Sequence, residues 1–248
     1  MKIKVVSFNI RCCDDANGHT ILERAPRLKS VLDSIDADII GFQEGRNEWE
    51  ECIPRDYGEK YEIYLVHRGD NESAPILWKK DKFALVKKGV FWLSDTPETV
   101  SKGWDELFDC YRICMYAVLK DKISGKEFCF MNTHYGFGDK CQTDSSDLIY
   151  KYSKEISDLP TFITGDFNMK PDSLGYAQMI KYFTDVNSQT LKYDGITYHG
   201  YSPETKGSHI DYCFISKQVT PISTTLLNQS FEGKFPSDHF GLQFELEI

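Results

Sequence analysis

Short apolar runs separated by Pro, Gly and charged residues dominate the pattern along this chain. Such runs are typical of β-strands, whereas apolar residues that recur every three or four positions are typical of helices. The runs predict strands at Ile3–Ile10, Asp38–Phe42, Tyr61–His67, Ala74–Lys80, Phe83–Leu93, Cys110–Leu119, Glu127–Thr133, Thr161–Gly165, His209–Ser216, Thr220–Asn228 and Phe240–Ile248. Helical spacing predicts helices over Thr20–Ile35, Asp139–Ser157 and Ser173–Tyr182.

Strands that follow one another in runs, with helices between them, favour a two-sheet α/β sandwich over a simple βαβ array. A chain of 248 residues fits one undivided domain of this class, spanning residues 1–248. No internal repeat, low-complexity tract or linker interrupts the sequence. Two long loops, Ser94–Asp109 and Asp185–Ser208, are the segments in which we expect substrate specificity to lie.

The balance of charge weakens one class of function. With 29 basic and 38 acidic residues the net charge is −9. A protein that captures long nucleic acid electrostatically normally presents a basic face. The sequence therefore disfavours that mode of binding, although a local basic groove stays compatible with it.

Cysteine usage and the N-terminus indicate a compartment. The eight cysteines include no Cys-x-x-Cys pair, and several lie in apolar runs, which favours reduced, buried thiols. Met1–Val6 leads directly into a strand without the apolar region of a secretory signal. No run approaches the roughly 20 apolar residues of a membrane span. We therefore expect a cytoplasmic, monomeric protein with no membrane partner.

Polar residues at the ends of buried strands carry the chemical signal. Asp166 and Asn168 follow the run that begins at Thr161, and residues two apart on a strand point to the same side. Glu44 follows a second apolar run, which packing alone does not explain. Carboxylates and amides at such a position suit a divalent cation or a water that must be deprotonated. Taken alone, Asp-Phe-Asn is explained equally well as turn chemistry.

Seven polar residues share a position at or just past the end of a predicted strand: Asn9, Glu44, His134, Asp166, Asn168, Asp211 and His239. Asp211 lies within an apolar run, and a buried carboxylate needs a cation or a hydrogen-bond donor. His239 can supply that donor, since an Asp–His pair fixes the imidazole tautomer and raises its basicity. The pattern predicts that these groups converge on one pocket.

Six ordered blocks resemble the motifs of the endonuclease/exonuclease/phosphatase superfamily: Ser7–Asn9, Gln43–Glu44, Asn132–His134, Gly165–Asn168, Ile210–Tyr212 and Ser237–Phe240. That superfamily includes pancreatic deoxyribonuclease I, exonuclease III-like repair enzymes, neutral sphingomyelinases and inositol-polyphosphate 5-phosphatases. The resemblance covers nearly the whole chain. It implies an α/β fold of the DNase I-like type, a four-layer αββα sandwich with two mixed β-sheets packed face to face and helices outside. It also implies divalent-metal-dependent cleavage of phosphoesters.

The resemblance also implies roles for individual residues. Metal ligation falls to Glu44, with Asn9 and Asp238 completing the set around Mg²⁺, for which Mn²⁺ or Ca²⁺ can substitute. Water activation falls to Asp166 and Asn168, and phosphate contacts to His134, His239 and its partner Asp211. Three further residues would support the site or contact the substrate. Glu72 would orient His134, and Arg112 would contact phosphate or, equally, form a structural ion pair. His199 would line the pocket or stabilise its loop.

Three further segments, Pro75–Lys80, Phe91–Pro97 and Ser101–Asp105, are similar to a bacterial subgroup of unassigned substrate. Members of that subgroup usually follow the first histidine with Leu-Asp-His, whereas this chain has Tyr135-Gly136-Phe137. The expected activity is hydrolysis of a phosphodiester, as a phosphodiesterase or nuclease acting on a small molecule or nucleic acid. The alternatives are a phosphomonoesterase acting on sugar- or inositol-phosphates, and a non-catalytic binding module that retains the fold.

Overall fold

The computed structural model describes residues 1–191, 195–202 and 207–248. In these ranges the helices are α1 (Ile21–Ile35), α2 (Trp49–Tyr57), α3 (Asp139–Ile156), α4 (Leu174–Met179) and α5 (Val186–Thr190). The strands are β1 (Lys2–Asn9), β2 (Ile39–Gln43), β3 (Tyr61–Tyr64), β4 (Ile76–Lys79), β5 (Phe83–Trp92), β6 (Ile113–Asp121), β7 (Glu127–His134), β8 (Thr161–Asp166), β9 (Thr184–Asp185), β10 (Asp211–Ile215), β11 (Thr220–Leu227) and β12 (Gly241–Glu247).

The described strands form two mixed six-stranded sheets. The first has the order β11-β12-β1-β2-β4-β3 and the second the order β5-β6-β7-β8-β10-β9. Within each sheet one central pair is parallel, β1 with β2 and β7 with β8, and the neighbouring pairs are antiparallel. The two sheets therefore have closely similar topologies, with a parallel pair at the centre of each.

Three apolar cores lie between the four layers of the fold, which are two sheets and two layers of helices. The core between the sheets contains residues of both, such as Val5 and Trp78 from the first and Phe130 and Phe162 from the second. A second core joins α1 and α2 to the outer face of the first sheet, and a third joins α3 and α4 to the outer face of the second. The predicted four-layer αββα sandwich, with mixed sheets face to face and helices outside, is confirmed.

Local chemistry accounts for the start and end of α1. Thr20 caps the helix, because its hydroxyl accepts from the Glu23 N–H while the Glu23 carboxylate accepts from the Thr20 N–H. The helix ends at Asp36, which has the left-handed conformation that commonly terminates helices. The buried stripe of α1 contains Leu28 and Leu32 and packs on the first sheet. This is the helix that the apolar spacing predicts.

Two helices escape the sequence pattern. α2 has buried residues at helical spacing, including Trp49, Cys52 and Ile53, but Pro54 and charged neighbours obscure the stripe. α5 lies within Asp185–Ser208, which we expected to be a loop. That expected loop extends to residue 208, so part of it lies outside the described residues. β6 begins at Ile113 rather than Cys110, because Tyr111 instead forms an isolated bridge with Lys102.

The helices of the described ranges are amphipathic or short, and no helix there has both the length and the apolar character required to cross a bilayer. All eight cysteines are free thiols, and six of them are buried.

Candidate active site

The parallel strand pairs bring acidic and polar side chains to one edge of the packed sheets. β1 and β2 end side by side, at Asn9 and just before Glu44. β7 and β8 end together at His134 and Asp166, which are register partners. Because the two sheets pack face to face, these two pairs of residues meet across the sandwich, as the contact between Asn9 and Asp166 demonstrates.

Antiparallel strands supply further groups at the same edge. Asp211 is the first residue of β10 and pairs in register with Asp166. His239 precedes β12, whose amino end lies beside the carboxyl end of β1. The expectation that Asp211 and His239 lie at or past strand ends is therefore corrected, since both stand where a strand begins. Their position depends on strand direction, which the apolar pattern does not reveal.

Asn9 joins the two sheets at this edge. Its side-chain nitrogen donates to Glu44 Oε1 and to Asp166 Oδ2, both at 2.9 Å. Its side-chain oxygen accepts from the backbone N–H of Arg11 at 3.0 Å. The backbone N–H of Cys12 donates to Glu44 Oε2 at 2.8 Å. The amide of Asn9, which is fully buried, thus holds two carboxylates in place.

The two carboxylates differ in their affinity for a proton. For Glu44, burial opposes ionisation, but the neighbouring His134 and the hydrogen bonds from Asn9 and Cys12 outweigh it and lower the pKa to about 2. For Asp166, burial and the nearby carboxylate of Asp211 raise the pKa above its usual value. Glu44 is therefore the firmly ionised member of the pair.

A turn places Asn168 in the site, whereas the sequence predicted that it would extend the strand that ends at Asp166. β8 ends at Asp166, and Asn168 has a left-handed backbone with φ of 49°. Its N–H donates to Asp166 Oδ1 at 3.0 Å, and its side-chain nitrogen lies 3.1 Å from His134 Nε2 and 2.9 Å from the carbonyl of Tyr135. Asp166 and Asn168 do face one place, but a turn brings them together and strand alternation does not.

His134 stands between two acids. Its Nε2 lies 3.5 Å from Asp166 Oδ2, and its Nδ1 lies 3.7 Å from Glu72 Oε1. Within the part of the chain that the structure describes, Nδ1 has no hydrogen-bond partner. Glu72 is itself held by Arg68 Nη1 at 2.5 Å. Glu72 therefore lies beside His134, as its predicted orienting role requires, but at a distance longer than a hydrogen bond.

His239 and Asp211 form the shortest imidazole–carboxylate contact of the site. His239 Nδ1 lies 2.9 Å from Asp211 Oδ2, and the Nε2 of the same ring lies 3.7 Å from Asp166 Oδ2. Burial by itself would lower the pKa of His239, but the carboxylates of Asp211, Asp166 and Asp238 outweigh it and raise the pKa to about 10. The surrounding carboxylates therefore favour the protonated form of this ring.

Asp238 lies in the same cleft on the side of Arg11. Its Oδ2 is 3.8 Å from Arg11 Nε, and its Oδ1 accepts from the Ser237 hydroxyl at 3.3 Å. Ser237 also donates to the carbonyl of Asn9 at 2.6 Å. Burial is the main reason that the pKa of Asp238 is raised.

The other two predicted positions differ in their access to the cleft, which has a volume of about 930 Å³. Arg112 lines it and forms an ion pair with Asp105 at 3.3 Å. His199 is absent from the lining; it packs on Phe240, with ring centroids 4.1 Å apart. The neighbouring Tyr198 lines the cleft in its place.

Several residues that line the cleft or support it from behind were not predicted. Arg24 of α1 is fully buried and donates to the carbonyls of Ile10, Arg11 and Cys13, so it shapes the segment that follows β1. An arginine on the buried stripe of a helix is a signal that sequence reading could have used. Arg46, Phe108, Phe137 and Lys170 also line the cleft, and no spacing in the sequence marks them.

The donor set fits a hard divalent cation. Glu44, His134 and Asp166 have ligand atoms within 4.8 Å of one another, and so do Asp166, Asp211 and His239. Buried carboxylates in such number require a compensating cation or donors. Carboxylate oxygens are also the protein ligands that Mg²⁺ and Ca²⁺ prefer. The cluster could therefore bind a metal ion, and Asp166 belongs to both groups of potential ligands.

This fold recurs in known proteins. The sequence profile described as "Endonuclease/Exonuclease/phosphatase family" matches residues 130–239. A solved protein of that family from Bacteroides thetaiotaomicron is 30% identical, with 99% of this chain and 97% of that chain covered and a TM-score of 0.88. The chain belongs to the endonuclease/exonuclease/phosphatase family, whose members are phosphoester hydrolases.

Two other solved structures are similar over their whole length. An endonuclease/exonuclease/phosphatase from Bacteroides vulgatus is 28% identical, with 100% of this chain and 99% of that chain covered and a TM-score of 0.91. A mannosyl-6-phosphatase from Bacteroides thetaiotaomicron is 29% identical, with 99% of this chain and 100% of that chain covered and a TM-score of 0.85.

Proposed function

We propose that this protein is a Mg²⁺-dependent phosphodiesterase or nuclease. Its substrate is a phosphoester, a small molecule or nucleic acid, that binds in the cleft beside Asp166. One observation carries the proposal: the Asp166 carboxylate lies within 3.7 Å of both His134 and His239 and shares the amide of Asn9 with Glu44. A candidate base, two candidate phosphate-binding imidazoles and a candidate metal ligand thus meet around one point.

Glu44 and Asp238 are the groups that would hold the cation, and Asn9 would complete the set or keep Glu44 aligned. The same oxygens would accept Mn²⁺ or Ca²⁺. When bound, the cation would neutralise negative charge that develops on the phosphate oxygens.

The remaining residues divide the chemistry between them. Asp166, whose carboxylate accepts the N–H of Asn168, would orient the attacking water and take its proton. His239, held by Asp211 at 2.9 Å, and His134 would donate to the phosphate oxygens and the leaving group. Hydrogen-bond donors that are already in place where negative charge develops make the largest single contribution to transition-state stabilisation in many enzymes.

A substrate panel tests the proposal. Bis-p-nitrophenyl phosphate, p-nitrophenyl phosphate, single-stranded DNA and RNA are incubated with the protein, each with Mg²⁺ and with excess chelator. We expect Mg²⁺-dependent cleavage of the diester or of a nucleic acid. Cleavage that persists under chelation would overturn the metal dependence, and turnover of the monoester alone would overturn the diesterase assignment.

A phosphomonoesterase is the second candidate, and one observation favours it. The mannosyl-6-phosphatase noted above is 29% identical over 99% of this chain. Sugar phosphates and inositol phosphates added to the panel separate the two readings, since a monoesterase releases inorganic phosphate from them and leaves diesters intact.

A non-catalytic binding module is the alternative of another class. Glu44, Asp166 and His239, whose loss would mark such a module, are all present. Calorimetric titration with Mg²⁺ or Mn²⁺ discriminates, because we expect saturable metal binding that disappears in Glu44→Gln. If the wild type does not bind either metal, the non-catalytic alternative is favoured.

A further inference from the structure

The segment that follows His134 and the loop 94–109 are built against each other. The N–H of Glu106 donates to the carbonyl of Phe137 at 3.0 Å, and the Glu106 carboxylate accepts from the N–H of Lys140 at 3.0 Å. A Cβ atom on Gly136 would lie 2.7 Å from the Asp105 carboxylate. Only glycine at position 136 leaves room for Asp105 at this distance.

Asp105 fixes the turn that leads to Phe108. Its Oδ1 accepts from the N–H groups of Leu107 and Phe108, both at 3.0 Å, while its Oδ2 lies 3.3 Å from Arg112. The side chain of Asp105 is fully buried. The Cys110 thiol also donates to Oδ2 at 3.4 Å. Four partners on one buried carboxylate restrict the backbone that carries Phe108.

The two phenylalanines form an aromatic wall at the cleft. Phe108 and Phe137 both line it, with ring centroids 5.6 Å apart and planes inclined by 67°. Phe108 is nevertheless 56% exposed. A large aromatic surface held open to water beside a catalytic cleft is typical of a ligand subsite.

This wall shares its cleft with His134, the residue that we propose contacts the phosphate. Phe137 follows His134 by three residues, so their Cα atoms are at most about 11 Å apart. Lys170 and Arg112, which is paired with Asp105, line the same cleft. The arrangement combines the proposed phosphate site, cationic side chains and the exposed ring of Phe108.

We propose that Phe108 and Phe137 form a subsite for an aromatic ring of the substrate. The ring is a nucleobase or an aryl group attached through the phosphoester. This inference rests on the proposed function, since it names the class of phosphoester that the same cleft selects. It also gives a physical role to Tyr135-Gly136-Phe137: Gly136 admits the loop, and Phe137 supplies one of the two rings.

Binding of matched ligand pairs tests the subsite without requiring turnover. Adenosine 5′-monophosphate and ribose 5-phosphate differ only in the base, and phenyl phosphate and methyl phosphate only in the ring. Their dissociation constants are measured by calorimetry with Mg²⁺ in the Asp166→Asn variant, which keeps the ligands intact. We expect the ring-bearing member of at least one pair to bind roughly 5- to 100-fold more tightly, the range that base–aromatic stacking provides.

Substitution of the wall tests its part in that preference. In Phe108→Ala/Phe137→Ala the preference should fall to less than about twofold, while affinity for ribose 5-phosphate or methyl phosphate stays unchanged. Phe108→Leu, which keeps apolar volume without a ring, provides a second test if the double variant unfolds. The matched control is Ile123→Ala, an apolar residue that is 94% exposed and does not line the cleft.

The outcomes separate this inference from the proposed function. Equal binding within both pairs overturns the aromatic subsite. So does a preference that survives in the double variant or, where that variant does not fold, in Phe108→Leu. A preference confined to adenosine 5′-monophosphate identifies a nucleobase, and one confined to phenyl phosphate identifies an aryl ester. Absence of Mg²⁺-dependent hydrolysis in the wild type would refute the proposed function, while the binding ratios would remain readable.

Discussion

The floor and the wall of the cleft are held in different ways. The floor consists of buried strand-end residues that hydrogen-bond one another across the two sheets, as Asn9 does with Glu44 and Asp166. The wall consists of Phe108 on the loop 94–109 and Phe137 on the segment after β7, and it exposes Phe108 to solvent. Buried groups on strands keep fixed distances, whereas loops tolerate changes in sequence and length. The floor is therefore suited to chemistry and the wall to the choice of substrate.

The largest expected effect comes from breaking the floor. His239→Ala and Asp166→Asn should each lower turnover by roughly 10²–10³-fold, because each removes a group that we propose acts on the phosphate or the attacking water. Steady-state kinetics on the best substrate of the panel measures the loss. His67→Ala is the matched control, since this histidine is exposed and outside the cleft. Unchanged turnover in either variant, at an unchanged melting temperature, would contradict the assignment.

A second test separates metal binding from the rest of the floor. Glu44→Gln keeps the size of the side chain but removes its charge, so we expect Mg²⁺ affinity to fall at least about tenfold by calorimetry. Glu48→Gln, an exposed acid four residues later, is the control and should leave the affinity unchanged. Equal affinities in both variants would place the cation elsewhere.

We expect residues that support the floor from behind to contribute to the free energy of unfolding. Arg24→Met leaves buried carbonyls of Ile10, Arg11 and Cys13 without their donor, which should cost roughly 1–3 kcal/mol of the free energy of unfolding. Urea denaturation followed by circular dichroism measures it. Lys29→Met on the same helix removes only an exposed ion pair with Asp33 and should change stability by less than about 1 kcal/mol. The hypothesis fails if the two variants are equally stable.

A substitution beneath the wall should have the smallest effect on the metal affinity of the floor. Gly136→Ala places a Cβ atom 2.7 Å from both the Asp105 carboxylate and the Cys141 sulfur. We expect the loop to shift, with a loss of about 1–3 kcal/mol in stability and of the preference for ring-bearing ligands. Mg²⁺ affinity, measured in parallel, should stay within twofold of the wild type. A simultaneous loss of Mg²⁺ affinity would mean that floor and wall are not independent.

Sequence reading succeeds where local pattern and global fold agree. Apolar runs located every described strand except the two-residue β9, and the six motif blocks identified the family. The pattern failed at α2, where Pro54 interrupts the buried stripe, and at α5, which lies in a predicted loop. Four points stay predictions: the cytoplasmic location, the monomeric state, the single domain over 1–248 and the roles of individual site residues.

The sequence alone determined which residue types were available for chemistry and that most of them lie beside strand ends, because apolar periodicity is encoded locally. Only the tertiary structure decided which groups touch. Asp211 and His239 enter at strand beginnings, Asn9 bridges two sheets, and Phe108 meets Phe137 from a separate loop. Strand direction, sheet packing and loop docking arise from contacts between residues distant in the chain, and no local pattern records them.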